Sequence, residues 1–308
     1  MLVSEIPSWL LTSVAFAFGA AWGSFFNVAI YRWPRGLSVV TPPSHCPACD
    51  ARIPAYLNVP IFGYLALRGR TACCGAPLSP RYPVVEVLGA ALGVAIAQRY
   101  IAAAPPETLL LNASLEALAY FVFAGGLLVA TFVDLEWMEI PDEVSLPGAA
   151  LGLVSAPLRG APGVEQAALG AGGGFLFIQM LFVWGYERLT GRRGMGEGDS
   201  KLLMMIGAFE GPRGAAFALF AGAAQGLLVA IYALLSGKQL GPDLDALEDE
   251  AEQEDEHALP SEPPPAWLGH LKLPFGPFLA LGALEYLFFG ERAIEIWFGF
   301  VGSLLPGG

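Results

Sequence analysis

The sequence predicts an all-α, polytopic membrane protein: a helical bundle of about eight spans with a small cysteine-containing loop domain on the cytoplasmic side. Composition points to this class, because 55% of the 308 residues are hydrophobic and only 14% are charged, against about 25% charged residues in soluble domains. The second observation is that apolar runs recur along the chain. Several of them match the roughly 20 residues that cross a hydrocarbon core. The lipid bilayer is therefore the first predicted partner.

The apolar runs lie at 8–31, 83–103, 109–133, 143–158, 165–187, 200–210, 213–235 and 274–290. Two of them, 143–158 and 200–210, are short and interrupted by glycine or proline, so tilted, partial and re-entrant spans all remain open for them. The segment 293–305 is a candidate for a tail in the membrane interface.

Basic residues orient the predicted bundle. Arg32 and Arg35 follow the first apolar run directly, and no basic residue precedes it. A secretory signal peptide has the opposite flank. Because cytoplasmic loops are enriched in Lys and Arg, we expect an outside N-terminus and a cytoplasmic 32–82 loop. Of the 16 basic residues, only four fall outside on this topology: Arg99, Arg159, Arg213 and Arg292.

The predicted organisation follows from these runs. It comprises a first span (1–31), the cytoplasmic loop domain (32–82), a transmembrane core (83–235), an acidic loop (236–273), and a last span with its tail (274–308). Most of the formal charge of −12 comes from acids in 242–262, a stretch without Lys or Arg that four prolines accompany. Such a segment is typical of a disordered, solvated loop. It is either a tolerated insertion or a docking site for a basic partner.

The four cysteines of the chain, Cys46, Cys49, Cys73 and Cys74, all lie in the 32–82 loop. In a reducing cytoplasm, two clustered pairs favour a metal site over disulfides. Structural zinc is the favoured hypothesis, and free buried thiols or redox chemistry are the alternatives. Because the adjacent Cys73 and Cys74 can both bind one metal only through an unusual turn, His45 is a possible fourth ligand.

Asp134 closes the third apolar run. At the C-terminal end of a helix the dipole disfavours an anion, so this acid is more consistent with a functional role than with a structural one. Asp142 differs, because it precedes the next apolar run and suits a helix N-cap.

Asp199 lies between glycines, in Gly196-Glu197-Gly198-Asp199, where the chain returns to the cytoplasm after the run 165–187. On its own it would be interpreted as the N-cap of the helix that Ser200 opens. The predicted topology, however, places it at the same depth and on the same side as Asp134. The neighbouring glycines also let another chain approach the backbone closely.

Two close carboxylates cannot both ionise cheaply, so such a pair holds one proton and titrates as a unit. This suits aspartyl hydrolysis, in which one acid takes a proton from water while the other donates to the scissile carbonyl. The chemistry needs neither a metal nor a covalent intermediate. The sequence contains no Gly-x-Ser-x-Gly, His-Glu-x-x-His or nucleotide-binding loop, and it predicts no nucleic-acid partner.

Six segments in order resemble the bacterial type IV prepilin peptidases, which are membrane aspartyl proteases of the Gly-x-Gly-Asp type. The segments are 23–32, 46–49, 81–86, Asp134 with Ile140-Pro141-Asp142, 196–201 and 274–278. They are separated by the predicted membrane spans and cover nearly the whole chain.

The resemblance implies a bifunctional enzyme of the bacterial inner membrane with its active site facing the cytoplasm. Its substrates would be prepilins and pseudopilins, whose short leader it removes and whose new N-terminal amine it then methylates with S-adenosylmethionine. The family's catalytic aspartates carry over onto Asp134 and Asp199. The resemblance associates methyl transfer with the Arg-Gly-Arg step, hence Gly69 and Arg70, which are otherwise ordinary basic anchors of the loop.

In the same family pattern Thr71 stands where a cysteine is usual, and only Cys74 aligns in the second pair. Prepilin leaders are basic, so Glu136, Glu139 and Glu197 are candidates to attract them, with a solvated membrane rim as the alternative. Three other functions remain open: a proton-coupled transporter that uses the rim acids, a membrane scaffold, and a peptidase without methyltransferase activity.

Overall fold

The computed structural model describes residues 1–46, 48–54, 57–191, 194–236 and 273–304. This part of the chain is helical, with isolated β-bridges and no strand among the described residues. The prediction of an all-α protein is therefore confirmed. The predicted acidic loop, apart from its first and last residues, lies outside the described residues, as do residues 305–308 of the predicted tail.

The helices, in chain order, are α1 (Ser8–Arg32), α2 (Phe62–Ala66), α3 (Arg81–Ala97), α4 (Leu110–Trp137), α5 (Asp142–Ser155), α6 (Val164–Ile178), α7 (Tyr186–Thr190), α8 (Glu197–Ser236) and α9 (Gly276–Leu304). Helices α3 and α6 continue as π-helical turns over Gln98–Ala102 and Gln179–Gly185. The chain forms two compact units, one of Met1–Val129 with Pro141–Ala167, the other of Ala130–Ile140 with the chain from Ala168 onwards.

Each of the eight predicted apolar runs lies in a helix, but the runs do not correspond to eight separate spans. Among the described residues, five helical segments are long and apolar enough to cross a membrane: Ser8–Arg35, Arg81–Ala102, Leu110–Trp137, Val164–Thr190 and Glu197–Ser236. The run 143–158 forms α5, whose 14 residues reach about 21 Å, short of the roughly 30 Å hydrocarbon core. The final apolar stretch, Gly276–Gly290, is also short.

The predicted runs 200–210 and 213–235 belong to one element, α8, which bends at Gly211. This residue has φ 70° and ψ −173°, and Pro212 follows it. Such a backbone conformation is essentially restricted to glycine. The bend explains why the sequence divides α8 into two runs.

In the first unit, glycines bring α1 and α3 into close contact. A Cβ atom at Gly89 would lie 2.7 Å from the carbonyl oxygen of Gly19, so the backbones touch here. Where the last turns of α1 meet the start of α3, Nδ2 of Asn27 on α1 donates a 3.0 Å hydrogen bond to the carbonyl oxygen of Tyr82 on α3. This packing places the polar residues of the two helices side by side.

In the second unit, α8 packs against α6 and α9. A Cβ atom at Gly174 on α6 would lie 3.0 Å from the carbonyl oxygen of Leu203, and one at Gly222 would lie 3.0 Å from the backbone of Phe278 on α9. Nε2 of Gln225 donates a 2.8 Å hydrogen bond to Oε2 of Glu285. These contacts fix the start of α9 relative to α8.

Candidate active site

Asp134 lies in the last turn of α4 and is only 5% exposed. Its Oδ2 accepts a 2.9 Å hydrogen bond from the backbone N–H of Gly276, the first residue of α9. The first N–H groups of a helix have no partner within the helix, and the positive end of the helix dipole favours an anion. The N-terminus of α9 therefore offsets the unfavourable position of Asp134 at the C-terminal end of its own helix.

Asp199 lies in the first turn of α8, which begins two residues earlier, at Glu197. It is 8% exposed, and its Oδ2 accepts a 3.2 Å hydrogen bond from the backbone N–H of Gly196. An acid at the third helical position that reaches back to the N-cap N–H is one half of a capping box. The N-cap interpretation of Asp199 is therefore wrong, because the helix begins earlier and Gly196 precedes its first residue. The carboxylate is also buried, and a single hydrogen bond offsets the cost of that burial only poorly.

The two aspartates belong to the same unit. Ile140 lies between the segments that carry them. A Cβ atom at Gly198 would lie 2.9 Å from Cβ of Ile140, and one at Gly276 would lie 3.1 Å from its Cδ1. Three of the six sequence segments, those that contain Asp134 with Ile140, Gly198 and Gly276, thus converge at one place.

A tight turn follows Asp134 and brings Ile140 back to it. The N–H of Met138 donates a 2.9 Å hydrogen bond to the carbonyl oxygen of Asp134, and Met138 has φ 55°. A left-handed residue just past a helix is the usual way to end it, although such residues are normally glycine or asparagine. The turn is the reason that Ile140 packs against Gly198.

Sequence analysis missed Gln179, which supports the start of α8. Oγ of Ser200 donates a 3.0 Å hydrogen bond to Oε1 of Gln179 and lies 2.6 Å from the carbonyl oxygen of Glu197. Both Gln179 and Ser200 are buried. A glutamine inside the apolar run 165–187 was the available signal, since a buried polar side chain needs a partner.

The three candidate leader-binding acids lie on the surface. Glu139 and Glu197 are exposed and Glu136 is half-buried, so all three can meet a charged peptide. Asp142 is the first residue of α5, and Pro141 occupies the N-cap position that the sequence assigned to Asp142. The roles of the three glutamates stay predictions.

The four cysteines come together in the first unit. Their Sγ atoms all lie within 4.8 Å of one another, with 3.7 Å between Cys46 and Cys74 and 3.3 Å between Cys49 and Cys73. Cys46 is buried and the other three are exposed, which disagrees with the alternative of free buried thiols. The backbone N–H of Ala48 contributes most to lowering the pKa of the Cys46 thiol to about 6, which favours the thiolate form that binds metals.

His45 does not take part in this cluster. Its Nδ1 lies 3.2 Å from the carbonyl oxygen of Pro43, and its Nε2 lies 3.8 Å from Oδ1 of Asp50. All four predicted cysteine ligands converge without it. The turn at Cys73 and Cys74 lets both sulfurs face the first pair, so the four cysteines form a complete set of ligands and His45, the possible fourth ligand, lies outside it.

The two candidate methyl-transfer residues lie in the same loop. Gly69 has φ 70°, and a Cβ atom there would lie 2.9 Å from the hydroxyl oxygen of Tyr64. Arg70 is exposed, and its Nη1 donates a 3.3 Å hydrogen bond to the carbonyl oxygen of Gly75. The absence of a side chain at Gly69 therefore leaves room for the Tyr64 ring, whereas the Arg70 side chain is exposed to solvent.

Two family models match the chain, and together they cover both units. The model of the bacterial peptidase A24 N-terminal domain matches residues 17–100, and that of the type IV leader peptidase family matches residues 120–234. The second match includes both Asp134 and Asp199.

Curated relatives agree with these models. The chain is 32% identical to a prepilin leader peptidase/N-methyltransferase of Aeromonas hydrophila, over 94% of each chain. A protein of the same name from Pseudomonas putida is 34% identical over 74% of this chain and 82% of the relative. One from Myxococcus xanthus is 33% identical over 81% of this chain and 72% of the relative. No solved structure matches significantly. None of these names supports the transporter alternative.

Proposed function

The chain belongs to the type IV leader peptidase family, and we propose that Asp134 and Asp199 are its two catalytic aspartates. The protein is a membrane protease with N-methyltransferase activity: it removes the leader peptide of prepilins and methylates the new N-terminal residue. The observation that carries the assignment is the pairing itself. Two buried carboxylates in one unit lie on segments that meet at Ile140, and each is held by a single backbone N–H.

The hydrogen bonds leave one oxygen of each carboxylate for chemistry. Oδ2 of Asp134 and Oδ2 of Asp199 are held by Gly276 and Gly196, and no described residue donates to either Oδ1. The charged aspartate takes a proton from water, whose oxygen attacks the scissile carbonyl carbon, while the protonated aspartate donates to the carbonyl oxygen. As the tetrahedral intermediate collapses, the C–N bond breaks, the leaving amine takes up the proton from the first acid, and the second aspartate takes a proton back from one hydroxyl of the intermediate.

The substrate side is proposed from charge and depth. Prepilin and pseudopilin leaders are basic, and the exposed Glu139 and Glu197 with the half-buried Glu136 present negative charge next to the two aspartates in the chain. The negative charge of these three acids would attract a cationic peptide. We place the site at the cytoplasmic face of the bacterial inner membrane, since basic residues concentrate on that side of the predicted topology.

S-Adenosylmethionine is the proposed methyl donor, with Gly69 and Arg70 as residues that serve the transfer. The backbone at Gly69 is left-handed and lies against Tyr64, so its contribution is to position that ring. Arg70 offers an exposed guanidinium, which suits the carboxylate of an amino-acid-like donor.

Zinc is the proposed metal for the cysteine cluster. Tetrahedral zinc thiolates have Zn–S distances of about 2.3 Å, which puts the sulfurs about 3.8 Å apart. The cluster has sulfur separations of 3.3, 3.7 and 4.0 Å for three of its pairs, so the four side chains fit that ion. With four protein ligands, a zinc ion here would stabilise the loop and take no part in the hydrolysis.

The aspartate assignment is tested by cleavage of a prepilin in detergent. We expect Asp134→Asn and Asp199→Asn each to lower the rate by about 10²-fold or more, since proton transfer by one positioned group contributes about 10²–10⁴-fold. The matched control is Asp50→Asn, because the Asp50 side chain is 91% exposed and lies in the first unit. Cleavage at the parent rate in either of the first two variants would remove that aspartate from the mechanism.

A further inference from the structure

Helix α6 does not continue into α7 as a regular α-helix. Over Gln179–Gly185 the backbone is π-helical, and the N–H of Tyr186 donates to the carbonyl oxygen of Leu181, five residues earlier. Segments of this kind are rare and often lie at functional sites. The aspartate pair lies on other helices, so the π-helical segment takes no part in the proton transfers themselves. Its contribution has to come through the residues that it contacts.

One carbonyl oxygen near the end of the π-helical segment bonds outside the helix. The α-helical pattern returns with α7, which begins at Tyr186, and in that pattern each N–H bonds to the carbonyl four residues earlier. Where a five-residue step gives way to a four-residue step, one carbonyl is passed over. The carbonyl oxygen of Phe182 accepts a 3.2 Å hydrogen bond from the backbone N–H of Gly194. The π-helical segment thereby binds the chain shortly before Asp199.

Gly194 lies directly against this segment. A Cβ atom at Gly194 would be 3.0 Å from the carbonyl oxygen of Phe182 and 3.0 Å from Cδ1 of Tyr186. Few real Cβ atoms approach their neighbours so closely. A side chain at this position would therefore push the chain away from the π-helical segment and weaken the hydrogen bond to Phe182.

Gln179 provides a second contact, at the other end of the segment. Its side chain is buried, and Oε1 accepts the 3.0 Å hydrogen bond from Oγ of Ser200, which is buried as well. The Ser200 hydroxyl also lies 2.6 Å from the carbonyl oxygen of Glu197, so it would have a partner even without Gln179. The bond to Gln179 is thus not needed to satisfy the hydroxyl, and its effect is to tie the first turn of α8 to α6.

The two contacts enclose the residues that hold Asp199. Gly194 and Ser200 lie on either side of Gly196, whose N–H donates the 3.2 Å hydrogen bond to Oδ2 of Asp199. When both ends of the stretch 194–200 are fixed, the donor and the carboxylate between them are fixed as well. Such support matters for catalysis, because a misplacement of about 1 Å can lower a rate by roughly 10²-fold.

We propose that the π-helical segment Gln179–Gly185 positions Asp199 for hydrolysis, through the Gln179 side chain at one end and the Phe182 carbonyl near the other. The proposal rests on the catalytic role of Asp199 in the proposed function. Gln179 touches neither the substrate nor the reacting atoms, so it is a positioning residue. It acts on the carboxylate through Ser200, and Phe182 acts on it through Gly194.

The first test compares both activities of the full-length protein in detergent. Gln179→Met keeps the approximate size of the side chain and removes the acceptor. We expect it to lower kcat for leader cleavage about tenfold or more with little change in KM, because only the placement of a catalytic group is altered. Methylation of a pilin that has already been cleaved should stay at the parent level, since the proposed methyl-transfer residues Gly69 and Arg70 lie in the first unit. A parent-level kcat, or an equal loss of both activities, would overturn the proposal.

Gly194→Ala tests the other contact and does not depend on the folding of Gln179→Met. The added methyl group should separate the chain from Phe182 and give the same selective loss of cleavage. The matched control is Met180→Leu, because the Met180 side chain belongs to the same π-helical segment but is 57% exposed; its kcat should equal that of the parent. Cleavage by Gly194→Ala at the parent kcat would also overturn the proposal.

Asp199→Asn, measured in the same assay, separates this inference from the proposed function. If Asp199→Asn cleaved prepilin at the parent rate, the catalytic role of Asp199 would fail, and its positioning by the π-helical segment would fail with it. If Asp199→Asn were inactive while Gln179→Met and Gly194→Ala cleaved at the parent kcat, the positioning inference alone would fail and the aspartyl peptidase would stand.

Discussion

The backbone N–H of Gly276 donates a 2.9 Å hydrogen bond to Oδ2 of Asp134, although 142 residues separate the two in the sequence. The bond connects the first residue of α9 to the last turn of α4. It also explains why a glycine stands between Phe275 and Pro277, because a Cβ atom at this position would lie 2.6 Å from the same oxygen. The N-terminus of α9 thus binds and orients the Asp134 carboxylate.

Gly276→Ala should therefore impair cleavage without removing either aspartate. The new methyl group displaces the Asp134 carboxylate or Ile140, whose Cδ1 would lie 3.1 Å away. Because a misplacement of about 1 Å can lower a rate by roughly 10²-fold, we expect kcat for leader cleavage to fall at least tenfold. The measurement is a prepilin cleavage time course in detergent.

The matched control for this substitution is Gly172→Ala. A Cβ atom at Gly172 on α6 meets no heavy atom within 4 Å, and alanine favours a helix, so cleavage should stay at the parent level. Parent-level cleavage by Gly276→Ala would mean that the contact between α9 and Asp134 has no catalytic importance.

The pair of Ser200 and Gln179 predicts an asymmetric double-mutant cycle. In Ser200→Ala the buried amide of Gln179 loses its partner, which costs about 1–3 kcal/mol of unfolding free energy. In Gln179→Leu the hydroxyl still has the carbonyl oxygen of Glu197, 2.6 Å away, so the loss should be smaller. Unfolding in mixed micelles measures the change in unfolding free energy for each variant. In a protein that already carries Gln179→Leu, Ser200→Ala should lower the unfolding free energy only slightly. Additive losses would contradict a direct interaction.

The sequence predicted the helical class and the approximate place of each helix, because those depend on composition and on the length of apolar runs. It could not count the spans. The conformation of Gly211, with φ 70°, joins two apolar runs into one bent helix, which the lengths of the runs do not reveal. The short helix α5, by contrast, matches the short apolar run 143–158.

For the site, the sequence identified Asp134 and Asp199 by their positions in the chain but not what holds them. The support from Gly276 comes from a helix that begins 142 residues after Asp134, and backbone N–H groups have no sequence signature. Ile140 was noticed only as part of a motif. Its role as the side chain between Gly198 and Gly276 requires the turn at Met138, where a non-glycine residue takes a left-handed conformation.

The cysteine cluster predicts about one zinc ion per chain. Cys46→Ser and Cys73→Ser should each lose most of the metal, because one ligand of four is removed from either pair. His45→Ala is the control and should keep it, since the His45 ring contacts Pro43 and Asp50 instead. Elemental analysis of the purified proteins gives the zinc content. In the variants that lose zinc, limited proteolysis of the 32–82 loop should be faster. Equal zinc in all four proteins would exclude this site.

Gly211→Ala should lower stability through the backbone alone. With φ 70° and ψ −173°, an alanine at this position would pay on the order of 1–3 kcal/mol, and the adjacent Pro212 prevents the bend from relaxing into regular helix because it lacks an N–H. Gly173→Ala in α6, where an added Cβ meets nothing within 4 Å, is the control and should hold or raise the unfolding midpoint. Because α8 also positions Asp199 at its start, the midpoint and the cleavage rate should fall together in Gly211→Ala. A midpoint equal to that of the control would show that α8 can straighten at this position, and the bend would then be a consequence of packing and not of Gly211.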